Sequence, residues 1–215
     1  MDQNKFEKDY METSWKKQDK PYKKFIIEDS IKQFNSFLKS KSVTGTLLDI
    51  GCGSGKNSIF FDKQGFAVKG TDFTNSALGL ARKNAKERDS SAKFKLADVI
   101  EDNFQEKFDV VLDCGCLHHI RKKYWRKYLK NILASVKQGG YFYIHGFGDN
   151  SHKLGFAPKH RNWHIKKGHY THFFSNEEIK ELFGLHFKII KKYEFTSLTK
   201  KFIVKVFYMQ RKQDY

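Results

Sequence analysis

Three glycines at alternate positions, Gly51, Gly53 and Gly55, interrupt the chain just after the apolar run Leu47-Leu48-Asp49-Ile50. Glycine lets a backbone come within contact distance of a ligand and adopt turn angles closed to other residues. A second apolar run ends on Asp72, an acid placed where a ribose would present two hydroxyls. Strand, glycine turn, helix, strand and acid together describe half of a nucleotide-binding α/β sheet. The dinucleotide spacing G-x-G-x-x-G would need glycine where Lys56 stands, and the phosphate-cradling G-x-x-x-x-G-K-[ST] spacing is also unmatched. A tight turn with no ligand is the alternative, disfavoured by the Asp49 strand before it and Asp72 after it.

Two further sets of residues could do chemistry. His118 and His119 follow the fourth predicted strand, where an acceptor would approach, and an imidazole is the usual base near neutral pH. Backbone hydrogen bonding and helix capping are the competing roles for this pair. His145, at the end of the fifth strand, is a second candidate. His164, His169 and His172 have a spacing that could hold a metal, but no carboxylate or cysteine accompanies them closely, so no metal is expected there. Cys114 and Cys116 lack further ligands at zinc-like spacing and are read as pocket-lining residues.

Elements must hold these groups in place. Ile27, Ile31, Phe34 and Leu38 recur at helical spacing and predict a helix over 24–40. Strands are predicted at 46–50, 66–71, 92–97, 108–112 and 141–144, with helices from the glycine turn to about 63 and over 76–87. The run Phe108-Asp-Val-Val-Leu112 is nearly all apolar, as a strand buried on both faces should be. Trp125, Leu129, Ile132 and Val136 mark one face of an amphipathic helix that Gly139-Gly140 should stop. Residues 146–174 show little periodicity and many His, Lys and aromatic side chains, Phe156, Trp163, Tyr170, Phe173 and Phe174 among them. A loop this long inside a compact domain is usually functional or mobile, and it is the candidate substrate lid. Ser175 and Glu178 form a capping box for a helix, and the runs 185–190 and 202–209 can pair as a hairpin. The sum is a doubly wound, seven-stranded, mostly parallel sheet with an antiparallel terminal strand. Asp49, Asp72, Asp98 and Asp113 all fall at strand ends, where such sheets bind ligands.

Composition bounds the rest. At 215 residues the chain suits one domain, 1–215, with 1–40 as a helical N-terminal cover. No apolar run approaches the roughly 20 residues of a membrane helix, and the charged start lacks the core of a secretion signal. Three cysteines, Cys52, Cys114 and Cys116, make no disulfide framework, which suits a reducing cytoplasmic setting. The net charge of +17 gathers over Lys16–Lys24 and at Arg121, Lys122, Lys123, Arg126, Lys127 and Lys130. Most of it is lysine, a solvated point charge rather than a bidentate reader of phosphate, so nucleic acid is the less favoured partner.

The segment Asp49-Ile50-Gly51-Cys52-Gly53-Ser54-Gly55 resembles the first motif of the class I S-adenosylmethionine-dependent methyltransferases, and the strand order is similar across most of the chain. That resemblance implies S-adenosylmethionine as cofactor, with Asp49, Gly51, Cys52, Gly53 and Gly55 beside its methionine and ribose. Asp72 would take the ribose hydroxyls and Phe73 would lie against the adenine. Asp98 would bind the adenine amino group, Val99 would address the ring, and Asp113, Cys114 and Gly115 would line the floor under the sulfonium. Gly55-Lys56-Asn57-Ser58 and Gly70-Thr71-Asp72 are similar to the thiopurine- and tellurite-resistance-type methyltransferases, as is Trp15 followed by Pro21-Tyr22, the segment that covers the cofactor there. Cys114 replaces that group's arginine. The expected activity is methyl transfer to a small thiol, chalcogen or hydroxyl compound. The alternatives are an RNA or protein methyltransferase and a non-catalytic cofactor-binding regulator.

Overall fold

The structure, a computed structural model, describes residues 3–17, 25–155, 162–166, 169–197 and 201–213. Pro21, Tyr22, the lysines at 20, 23 and 24, and Phe156 lie outside these. In chain order the elements are helices α1 (Gln3–Lys16) and α2 (Asp29–Ser40), strand β1 (Thr46–Ile50), α3 (Lys56–Asp62), β2 (Ala67–Asp72), α4 (Asn75–Lys86) and β3 (Lys93–Leu96). There follow β4 (Phe108–Cys114), α5 (Trp125–Ser135), β5 (Val136–Phe147), the short strands β6 (Trp163–Lys166) and β7 (His169–His172), α6 (Asn176–Phe183), β8 (Phe187–Thr196) and β9 (Ile203–Arg211).

Seven strands form one sheet in the order β3-β2-β1-β4-β5-β9-β8. The first five run parallel, and β9 lies antiparallel between β5 and β8. Successive side chains on a strand point to opposite faces, so one strand feeds two cores. Leu48, Val111 and Phe142 pack under α5 and α6 with Tyr128, Ile132 and Phe183. Their neighbours Leu47, Val110 and Tyr143 pack on the other side with Ile31, Phe34 and Leu38 of α2. From β1 the chain winds outward to β3, then returns to β4 on the opposite flank, leaving a crevice at the carboxyl ends of β1 and β4.

Local chemistry explains most element ends. Ser175 accepts from the backbone of Glu178 while the Glu178 carboxylate accepts from Ser175 N–H, the capping box that starts α6 and contributes about 1 kcal/mol. Three expectations change. The helix predicted from 24 begins only at Asp29, because Glu28 is extended. Helix α5 ends at Ser135, not at Gly139-Gly140; those glycines lie within β5, where the register against β4 slips between Phe108 and Val110. Val136, placed on the helical face by its spacing, opens the strand instead. The unperiodic stretch 146–174 contains the antiparallel pair β6–β7, and Phe173 and Phe174 at its end are core residues. No helix among the described residues is long and apolar enough to cross a membrane.

Candidate active site

A cavity of about 340 Å³ occupies the crevice at the β1 and β4 ends. Gly51, Cys52 and Gly53 form one wall, with Asn57 at the start of α3 beside them. Gly53 stands at φ +54, and a Cβ there would lie 2.8 Å from the Trp15 ring, so glycine is required for both the turn and the close approach of α1. Asp72 anchors this wall. Its Oδ2 accepts from Gly53 N–H at 3.0 Å, and its Oδ1 accepts from the N–H and hydroxyl of Thr74 at 2.9 and 2.7 Å. A carboxylate offers about four acceptor sites, so one lone pair on Oδ2 remains for a ligand. Burial raises the Asp72 carboxyl above its ordinary value, and these hydrogen bonds oppose the rise. Phe73, Asp98 and Val99 continue the lining, with Asp98 paired to Lys8 of α1 at 2.7 Å.

Four residues predicted for the site, Asp49, Gly55, Asp113 and His118, lie behind its walls. Asp49 is fully buried and accepts from the Ser58 hydroxyl at 2.6 Å; desolvation pushes its pKa up to about 7. Gly55 backs onto Phe94 and Ala81. Asp113 accepts from the N–H groups of Gly115, Cys116 and Leu117 at 3.1, 2.7 and 3.0 Å and from the Tyr128 hydroxyl at 2.6 Å. It therefore folds the loop after β4. Burial takes its pKa to about 6 against those four bonds.

The opposite end of the cavity is built by Cys114, Gly115, His119 and His145. Burial lowers the pKa of both His118 and His119, the latter to about 3. Nδ1 of His119 lies 3.1 Å from the Tyr170 carbonyl, which can only accept, so this nitrogen carries the proton. Nε2 of His119 then accepts from Nε2–H of His118 at 2.8 Å. The lone pair left over is on Nδ1 of His118, which has no hydrogen-bond partner among the described residues. His118 itself is buried, stacked on Phe147, with Cε1 3.1 Å from where a Cβ on Gly115 would sit. His145 Nε2 is 3.5 Å from that same point. The two imidazoles thus crowd the position over Gly115, and of the two only His145 lines the cavity, His118 lying behind it.

Helix α1 and the β6–β7 pair close the cavity. Glu7 joins them: its carboxylate accepts from Tyr170 N–H at 3.1 Å, meets His169 Nδ1 at 3.1 Å and lies 3.6 Å from Arg121. The three histidines with metal-like spacing are held apart: His169 by Glu7, His172 by Glu178 at 3.0 Å, and His164 opposite Thr171 on β6. Glu7, Lys8, Met11, Glu28 and Arg121 also line the cavity, and sequence reasoning misses all five as site residues. Nothing in their spacing ties α1 or the residue before α2 to the glycine loop; only the tertiary fold does.

A parallel sheet with this order, a glycine loop on β1 and an acid ending β2 define the class I S-adenosylmethionine-dependent methyltransferase architecture. Residues 47–140 match the Methyltransferase domain family. The chain is 28% identical over 127 residues to a ubiquinone biosynthesis O-methyltransferase of Coxiella burnetii, covering 59% of this chain and 47% of that one. It is 23% identical over 95 residues, 44% of this chain and 33% of the other, to a probable S-adenosyl-L-methionine-dependent methyltransferase, TehB, of Haemophilus influenzae. The chain thus spans half or less of the length of these relatives. Among solved structures, the 1,6-didemethyltoxoflavin-N1-methyltransferase of Burkholderia thailandensis, with bound S-adenosylhomocysteine, superposes with a TM-score of 0.74 at 20% identity, over 97% of this chain and 88% of that one. The chain thus has the fold of the class I S-adenosylmethionine-dependent methyltransferases, a methyltransferase-domain match over residues 47–140, and similarity to TehB.

Proposed function

We propose that this protein transfers the methyl group of S-adenosylmethionine to a small acceptor carrying an acidic nucleophile, a thiol or phenolic hydroxyl. The observation that carries this reading is the cavity, with the Gly51–Gly53 wall and Asp72 at one end and Gly115, His119 and His145 at the other. Asp72 takes a ribose hydroxyl on its remaining lone pair, Phe73 and Val99 hold the adenine, Asp98 faces its amino group, and Trp15 covers the loop. Asp49 and Asp113 act indirectly, by fixing the two loops.

The acceptor lone pair attacks the methyl carbon in line with the sulfonium. S-adenosylmethionine would supply a sulfonium that departs as a thioether, and Nδ1 of His118, buried behind Gly115, would receive the acceptor proton. His119 fixes that tautomer from the cavity side. Burial makes His118 a weak base, which suits an acceptor that readily gives up its proton. The sulfonium is already a good leaving group, so holding the two reactants in line supplies much of the acceleration, about 7–11 kcal/mol where alignment is good. The cover formed by α1 and the β6–β7 pair suits a small acceptor. So does the pairing of three of the six basic side chains over 121–130 with the protein's own acids: Arg121 with Glu7, Lys122 with Glu178 and Lys127 with Glu101.

The test incubates purified protein with methyl-labelled cofactor and separate thiol, phenol, amine and total RNA pools. Label in thiols or phenols supports the reading; label confined to RNA, lost steeply with added salt, replaces it with a nucleic acid function.

A further inference from the structure

Sequence spacing gives Cys114 no metal-ligating neighbour, yet in the fold its sulfur does not stand alone. Cys114 and His145 are register partners on the parallel strands β4 and β5, so their side chains leave the same face of the sheet side by side. Cys114 Sγ lies 3.7 Å from His145 Nδ1, and that same nitrogen lies 3.7 Å from Glu28 Oε2. Among the described residues, this is the only cluster of at least three His, Cys, Asp or Glu ligand atoms all within 4.8 Å of one another. All three residues line the cavity.

We propose that Glu28, Cys114 and His145 form a three-ligand site for a divalent cation of the zinc type at the acceptor end of the cavity. A thiolate, an imidazole and a carboxylate make a borderline-soft donor set that suits zinc and disfavours magnesium or calcium. Bond lengths of about 2.3 Å to sulfur and 2.0–2.2 Å to nitrogen and oxygen imply, around a tetrahedral centre, S···N of about 3.5 Å and N···O of about 3.3 Å. The observed separations exceed these by a few tenths of an ångström, and Sγ lies almost as near Nε2, at 3.8 Å, so the imidazole must turn to aim Nδ1 at the ion. Two ligands are fixed by the sheet; Glu28 comes from the extended residue just before α2. The Tyr143 hydroxyl lies 3.3 Å from Nδ1 of His145 and would give way to the ion. Thiolate and carboxylate together balance the double charge.

Three protein ligands leave a fourth position open, the arrangement of catalytic rather than structural zinc. An acceptor oxygen or sulfur bound there gives up its proton more readily, to Nδ1 of His118, and its freed lone pair forms the bond to the methyl carbon. This role rests on the methyl-transfer reading; binding of the ion does not.

The full chain, stripped with chelator, is titrated with Zn2+ by calorimetry and with Co2+ by absorption spectroscopy. Wild type takes up one equivalent, and the cobalt form shows a thiolate-to-metal charge-transfer band. Cys114→Ser and His145→Gln each weaken Zn2+ binding by more than about 100-fold, beyond the loss that removing a supporting hydrogen bond causes. His186→Gln, beside the edge strand β8, leaves it unchanged. Each protein is also titrated with S-adenosylhomocysteine as a check on folding. No stoichiometric uptake by wild type, no thiolate band, or undiminished uptake by both variants overturns the site. Should a variant fail to fold, the wild-type cobalt spectrum decides alone. Loss of the ion result with S-adenosylhomocysteine binding intact removes only the metal site. Absence of S-adenosylhomocysteine binding removes the methyl-transfer reading and leaves the ion result standing.

Discussion

Asp72→Asn keeps the shape of the side chain and removes its charge, and the hydrogen bonds around it set the cost. The carboxylate accepts from Gly53 N–H on one oxygen and from Thr74 N–H and its hydroxyl on the other. An amide has one oxygen and one NH2. With its oxygen toward Thr74, the NH2 faces the Gly53 donor; flipped, it faces the Thr74 backbone donor. Either way one buried N–H loses its partner, at about 1–3 kcal/mol. At about 2–4 °C per kcal/mol for a chain of this size, melting falls by roughly 2–12 °C. That cost falls on the free and bound protein alike. The cofactor loses, in addition, one charge-assisted hydrogen bond from ribose, about 1.5–3 kcal/mol, or about 10–150-fold in Kd. Calorimetric titration with S-adenosylhomocysteine, beside a melting curve, separates the two effects. A lowered melting temperature with Kd within about threefold of wild type would mean that Asp72 only staples the loop, and the ribose assignment would fall.

The same geometry fixes the outcome of other substitutions. Gly53→Ala adds about 1–2 kcal/mol of left-handed backbone strain and drives a methyl into the Trp15 ring; Trp15→Ala should relieve the second part only, so a double-mutant cycle on cofactor Kd must show coupling. Additive effects would mean that the ring does not cover the loop. Asp49 stands at about 7 against an ordinary 3.8, so the folded protein binds its proton more tightly. Its stabilising contribution is complete below about pH 4 and is lost as pH rises through about 7. Asp49→Asn should flatten melting temperature against pH across that window, leaving the smaller slope of Asp113; a curve parallel to wild type refutes the shift. His118→Gln should lower kcat by roughly 100-fold or more with S-adenosylhomocysteine affinity unchanged, and an unchanged kcat removes His118 as the base.

The half of the molecule that repeats strand, helix and strand was legible because each element carries its own signal. The bounds of β1, the capping box at Ser175 and Glu178, and the alternation of strands and helices follow from local pattern; the order of the strands in the sheet is set by tertiary pairing. Gly139-Gly140 misled because a double glycine punctuates a helix and permits a register slip equally well. Val136 fits either period. Within the site, strand-end position drew attention to Asp49 and Asp113 along with Asp72, but position does not say whether a carboxylate faces the cavity or turns inward to hold backbone amides. Glu28 was invisible for a different reason: no periodicity links it to Cys114 and His145, and only the packing of α2 against the sheet brings it there.

The way α1 is fastened has a consequence for turnover. It meets the rest of the protein through Glu7 to Arg121, His169 and Tyr170, Lys8 to Asp98, and Glu12 to Ser76, and through the rings of Trp15 against Gly53 and Tyr10 on His169. The ionic part of this latch is released by water, whereas its ring contacts are not. On the methyl-transfer reading each cycle would have to unfasten it to exchange spent nucleoside for fresh, so the electrolyte content of the medium would become a throttle on the cycle even where the chemical step is indifferent to it.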